Sequence, residues 1–191
     1  MKTTITTAAI ATILFAAAGA APALAQNVST PPAYHGKLWA PVMPTTAQGY
    51  LAQAGQTDLF EIEAGRIAAR RAQKPEIKAF GQEMVDNHMR ATHRMASYAE
   101  KANVAVQPAV LDARHQQMLN ELETVSTSAF DQTYVNMQTY GHEEALRLHQ
   151  NYAQNGDNQT LRLAAADMVP MIEEHRDQLH GLSPQVLRYQ P

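Results

Sequence analysis

From Gly49 almost to the end of the chain, apolar residues recur every three or four positions, and nowhere do they alternate with the two-residue period of a strand. The pattern predicts long helices over about 50–73, 75–102, 127–154 and 158–181, with a shorter one over about 108–124. Punctuation agrees with these bounds. Pro75 suits a first helical turn, Ser126, Thr127 and Ser128 are candidate N-caps, and Asn155-Gly156-Asp157 reads as a turn. Gly181 before Pro184 closes the last helix, while Pro170 inside it predicts a kink. Long helices joined by short turns pack as a four-helix bundle. The shorter helix leaves two arrangements open. As a crossover it makes the third long helix run parallel to the second, which is the ferritin-like connection; otherwise it is a fifth helix of an up-and-down bundle.

At 100° per residue, each long helix carries an ionisable side chain inside its apolar face. On the first, Glu61 lies among Leu51, Ala54, Ile62, Gly65 and Ala68, while Glu63, Arg66 and Arg70 fall opposite. On the second, His88 is central to Ile77, Gly81, Met84, Val85, Met95 and Ala99, and His93 is on the wet face. The third places His142 with Val135, Ala145 and Leu146, on a stripe that also holds Asp131, Gln138 and His149. The fourth centres His175 among Leu161, Ala164, Met168, Met171, Ile172 and Leu179. With a crossover helix, Glu61, His88, His142 and His175 come to similar depths, within roughly 9 Å along the bundle axis. Bundles build metal sites from inward side chains on facing helices, so these four are candidate metal ligands. The competing reading is a buried polar network in which Glu61 accepts from the histidines. Met84 and Met171, four residues before His88 and His175, add soft donors that suit copper(I), although thioethers in helical cores most often only pack.

The ends of the chain have a different pattern. Lys2, the apolar run Ala8–Ala20 and Ala23-Leu24-Ala25 predict a signal peptide over 1–25, cut before Gln26, and so export to the periplasm. The apolar run is shorter than a membrane span requires. Pro31, Pro32, Pro41 and Pro44 make 26–48 an extended linker, 49–182 the helical domain and 183–191 a tail. The chain has no cysteine among its 191 residues, which excludes disulfides and thiolate metal sites. A formal net charge of -3 gives no field that favours nucleic acid. Signatures of hydrolases, kinases and DNA-binding modules are also missing.

Several segments in combination resemble a known family. They are Phe60-Glu61-Ile62 with Gly65 to Ala68, Ile77-Lys78-Ala79-Phe80 leading to Met84-Val85-Asp86-Asn87-His88, and Phe130-Asp131-Gln132-Thr133-Tyr134. His142, and Met168-Val169-Pro170 with His175, complete the set. From Thr57 to Leu182 the chain resembles a bacterial ferritin-like family of unknown function, domain of unknown function family 4142, often labelled an outer membrane protein. The resemblance implies a ferritin-like bundle in the cell envelope with Glu61, His88, His142 and His175 inside, and it implies no established reaction. Di-iron bundles carry Glu-x-x-His on two helices, whereas Val85 and Ile172 occupy those Glu positions here. Histidine-rich ligation suits zinc, copper or a single iron better than a bridged pair. The leading expectation is therefore a periplasmic metal-binding bundle serving metal buffering or envelope stress protection. Its alternatives are a non-catalytic envelope protein whose Pro-rich segment engages a protein partner, and a metal-dependent oxidoreductase. Homo-oligomerisation is left open.

Overall fold

The structure, a computed structural model, describes residues 43–183. Those residues form five helices and no strand: α1 (Ala47–Arg71), α2 (Pro75–Lys101), α3 (Ala113–Thr124), α4 (Thr127–Asn155) and α5 (Gln159–Leu182). The signal peptide, most of the linker and most of the tail lie outside the described residues. None of the described helices is long and apolar enough to cross a membrane.

Local chemistry sets the helix ends. The Thr46 side chain accepts a hydrogen bond from Gly49 N, so α1 starts at Ala47, inside the segment read as linker. The shorter helix starts at Ala113 rather than near Pro108 because Asp112 caps it, accepting from His115 N at 2.8 Å. Asn158 does the same for α5 through Leu161 N. Lys74, at the N-cap of α2, has no capping side chain of its own. Asp131 of α4 fills that role, its carboxylate accepting from Gln73 N and Lys74 N at 2.8 and 3.0 Å. Helix α5 continues through Pro170 as one element.

The same bonds give the topology. The start of α4 lies at the α1–α2 turn through Asp131, and its end lies at the start of α1, where the Tyr50 hydroxyl meets His149 Nδ1 at 2.9 Å. Between them, α3 and its lead-in climb beside α1: Gln56 donates to Val110 O, and Arg71 reaches Leu122 O and Val125 O. The chain therefore crosses over, and α4 runs parallel to α2 and antiparallel to α1. The tightest pairings are the hairpins α1/α2 and α4/α5. In the first, Gly65 and Gly81 let two backbones touch: a Cβ on Gly65 would sit 2.5 Å from Gly81 O, and one on Gly81 would sit 2.9 Å from Gly65 O.

Two apolar clusters fill the bundle. One, toward the α1–α2 turn, contains Phe60, Ile67, Ile77, Phe80, Met84, Phe130, Tyr134 and Leu179. The other, toward the opposite end, contains Tyr50, Leu51, Met95, Leu148, Tyr152, Leu161, Met168 and Ile172. Belonging to neither, Glu61, His88, Gln138, His142 and His175 form a buried polar layer between them.

Candidate metal centre

All four side chains singled out from the helical pattern are buried, with relative exposures of 1% for Glu61, 2% for His88, 1% for His142 and 0% for His175. Three of them converge. His88, His142 and His175 each offer one nitrogen, and the three nitrogens lie within 4.8 Å of one another. One pair, His142 Nε2 and His175 Nδ1, is 3.2 Å apart. Two donors on a tetrahedral ion with metal–nitrogen bonds of about 2.0–2.1 Å stand roughly 3.3 Å apart. That pair already has the spacing.

Each ring is held from behind. Asp58 Oδ1 takes His88 Nδ1 at 2.8 Å, and its Oδ2 accepts from Thr92 Oγ1 at 3.0 Å. The backbone carbonyl of Gln138 takes His142 Nδ1 at 2.9 Å. The Asn87 amide meets His175 Nε2 at 2.8 Å. Asp58 and the Gln138 carbonyl accept from Nδ1–H and leave His88 Nε2 and His142 Nε2 for a ligand, the arrangement in which metal-binding histidines are oriented through their other nitrogen. Asn87 Nδ2 instead donates to His175 Nε2, so a ligand at His175 Nδ1 requires the Asn87 amide to turn its oxygen to the ring. Buried His88 Nε2 has no hydrogen-bond partner among the described residues.

Glu61 sits to one side of this triad. Its Oε1 is 3.8 Å from His142 Nδ1, the nitrogen turned toward the helix backbone, and not among the three converging nitrogens. Neither carboxylate oxygen, and neither polar atom of the Gln138 amide beside it, makes a hydrogen bond of good geometry. Room for the carboxylate comes from Gly141, where a Cβ would lie 2.7 Å from Glu61 Oε1. Burial pushes Glu61 up to about 7, against the pull of His88 and then of Gln138. His175 is lowered to about 3, first by burial and then by the charge of His88. Burial, followed by His88 and His175, holds His142 well below its usual value. His88 differs: burial lowers it, but the hydrogen bond and charge of Asp58, helped by Glu61, leave it raised. Two neutral imidazoles, one basic imidazole and one acidic side chain thus share the polar layer, with Asp58 at its edge.

The other inward candidates have structural partners: Asp131 caps α2, and His149 pairs with Tyr50. Wet-face His93 is exposed, as its position predicts. Asp58 and Asn87 escaped the sequence reading. Asp58 precedes Glu61 by three residues and so shares its face, a usable signal. Asn87 has none, because its partner lies 88 residues further along the chain.

Solved structures with a related fold include CopM in the Ag-bound form, at 18% identity and a TM-score of 0.57 over 71% of this chain and 93% of that one. CopM in the Cu(II)-bound form gives 17% identity and a TM-score of 0.59 over 71% and 94%. At such identities the likeness is one of fold. A search of curated proteins gives no match. Residues 37–182 match the family described as Domain of unknown function (DUF4142), and this helical protein, with three buried histidines drawn together at mid-height, belongs to it.

Proposed function

We propose that this protein is an exported metal-binding bundle that buffers copper in the cell envelope, holding the ion with His88 Nε2, His142 Nε2 and His175 Nδ1. The observation that carries this reading is the convergence of three buried imidazole nitrogens from two helical hairpins, each ring oriented by a separate partner. Glu61, its carboxylate resting beside the Gly141 backbone and 3.8 Å from His142 Nδ1, supplies the negative charge behind that ring. Nitrogen-rich donor sets bind copper(II) more tightly than other divalent first-row ions, and the related fold of CopM occurs in Cu(II)- and Ag-bound forms, which supports copper over zinc or iron.

A second reading has an observation of its own. Asn87 donating to His175 Nε2, His175 Nδ1–H to His142 Nε2, and His142 Nδ1–H to the Gln138 carbonyl make an unbroken chain with no ion in it. On that reading the polar layer only fixes the packing of the hairpins. Elemental analysis of untagged protein separates the two. One copper per chain, lost in His88→Ala and His175→Ala but kept in His93→Ala, is the expected result. Equal metal content in the three variants removes the proposed site and leaves the polar network.

A further inference from the structure

A cavity on the other side of His88 is built from a different set of donors. Met95 on α2, His149 on α4, and Met168 and Met171 on α5 line it together with Thr57, Asp58, His88, Ala91, Ala145 and Ile172. Its volume is about 10 Å³, the space of one water-sized body. That excludes an organic ligand and admits a single ion. Three methionines, from α2 and α5, thus share one small cavity with a histidine from α4.

His149 is prepared as a ligand. It is 6% exposed, and its Nδ1 is tied to the Tyr50 hydroxyl at 2.9 Å, with the two rings edge to face at 5.6 Å. Burial keeps Tyr50 a neutral phenol, able to accept from Nδ1–H, which leaves the Nε2 lone pair free. Burial also lowers His149 to about 4, so the ring is neutral near pH 7. The resulting donor set is three soft thioethers and one neutral imidazole, the Asp58 carboxylate in the same wall being engaged by His88 and Thr92. Such a set discriminates against divalent zinc and iron, which prefer anionic or nitrogen-rich sites, and suits a monovalent d10 ion.

We propose that Met95, Met168, Met171 and His149 form a second metal site, selective for copper(I) or silver(I), separate from the three-histidine centre and adjoining it through His88. Silver nitrate is the redox-inert probe. In the full chain carrying 13C-methyl methionine, silver titration should shift the Met95, Met168 and Met171 methyl resonances and leave Met118 and Met137, in the other apolar cluster, in place. Native mass spectrometry should show one silver fewer in Met95→Leu/Met168→Leu/Met171→Leu, with copper(II) binding retained. His175→Ala should keep the thioether site and lose the other. Uniform or absent methyl shifts overturn the second site, whether or not the leucine variant folds. Loss of all silver in His175→Ala overturns its independence, whereas failure of copper(II) to bind wild-type protein sinks only the three-histidine reading.

Discussion

Gly141→Ala tests whether the Glu61 carboxylate belongs to the metal centre, because it touches that group and little else. An added Cβ would lie 2.7 Å from Glu61 Oε1 where ordinary contact begins at 3.4 Å, so the carboxylate has to retreat by about 0.7 Å. The next nearest atom, Phe60 Cε1, is at a comfortable 3.8 Å. A carboxylate at the end of a side chain yields more cheaply than backbone, and alanine gains about 1 kcal/mol over glycine inside a helix. The metal-free variant should therefore unfold within roughly 1 kcal/mol of wild type. Binding responds differently, since misplacing a group that orients or completes a metal site costs about 10–100-fold in affinity. Copper(II) competition against a chromophoric chelator should show a loss of at least about tenfold, or about 1.4 kcal/mol, with Glu61→Gln behaving similarly. Unchanged affinity in both variants would refute the role given to Glu61, leaving the three imidazoles to bind alone.

The metal-free protein should lose stability on acidification. His149 and His175, lowered to about 4 and about 3, contribute stability fully present above the unfolded value of 6.5 and lost as pH falls through those values, and His142 acts in the same direction. Glu61, raised to about 7, opposes this because acid removes the cost of its burial, and raised His88 opposes it too. At about 1.4 kcal/mol per unit the three lowered histidines outweigh the pair, so thermal melts should fall in midpoint from pH 7 to pH 4; a rising midpoint contradicts the burial argument. Asp131→Ala should cost about 1–2 kcal/mol by uncapping α2, seen as a lower urea midpoint with unchanged slope and unchanged copper affinity. Gly81→Ala should cost about 1–3 kcal/mol, since its Cβ meets Ala68 Cβ at 2.8 Å and the Gly65 carbonyl at 2.9 Å, and backbone cannot step aside. Gly181→Ala, also helical but with nothing within 4 Å, is the clash-free control for that melt and should be neutral to slightly stabilising.

Helical periodicity made the five elements and the buried ionisable residues legible in the sequence, because a 3.6-residue period leaves its imprint at every turn. His88, His142 and His175 were found this way, and their common depth followed once a crossover was assumed. The crossover itself was legible only as one of two alternatives, since it depends on contacts such as Asp131 with Gln73 and Lys74, 57 or 58 residues apart in sequence. The start of α3 lies beyond Pro108 because the capping bond of Asp112 to His115 N decides the boundary. Which nitrogen each histidine offers was illegible for a related reason: Asp58 and Asn87 reach their rings across helix interfaces. Glu61 shows the remaining gap, for helical angle places it inside without saying which side of His142 it faces.

The polar layer across the middle of the bundle also governs how the molecule comes apart. Side chains that hydrogen-bond across an interface contribute less net stability than apolar surface, so the apolar blocks above and below are the natural units of partial opening. His88 belongs to one hairpin, His142 and His175 to the other. An ion bound by all three is a rivet between the two hairpins at the level where the apolar blocks meet. At a free concentration a hundred times its dissociation constant it adds about 2.7 kcal/mol to the folded state. Amide exchange near mid-height would then slow with the ends, and the loaded bundle would melt as one body.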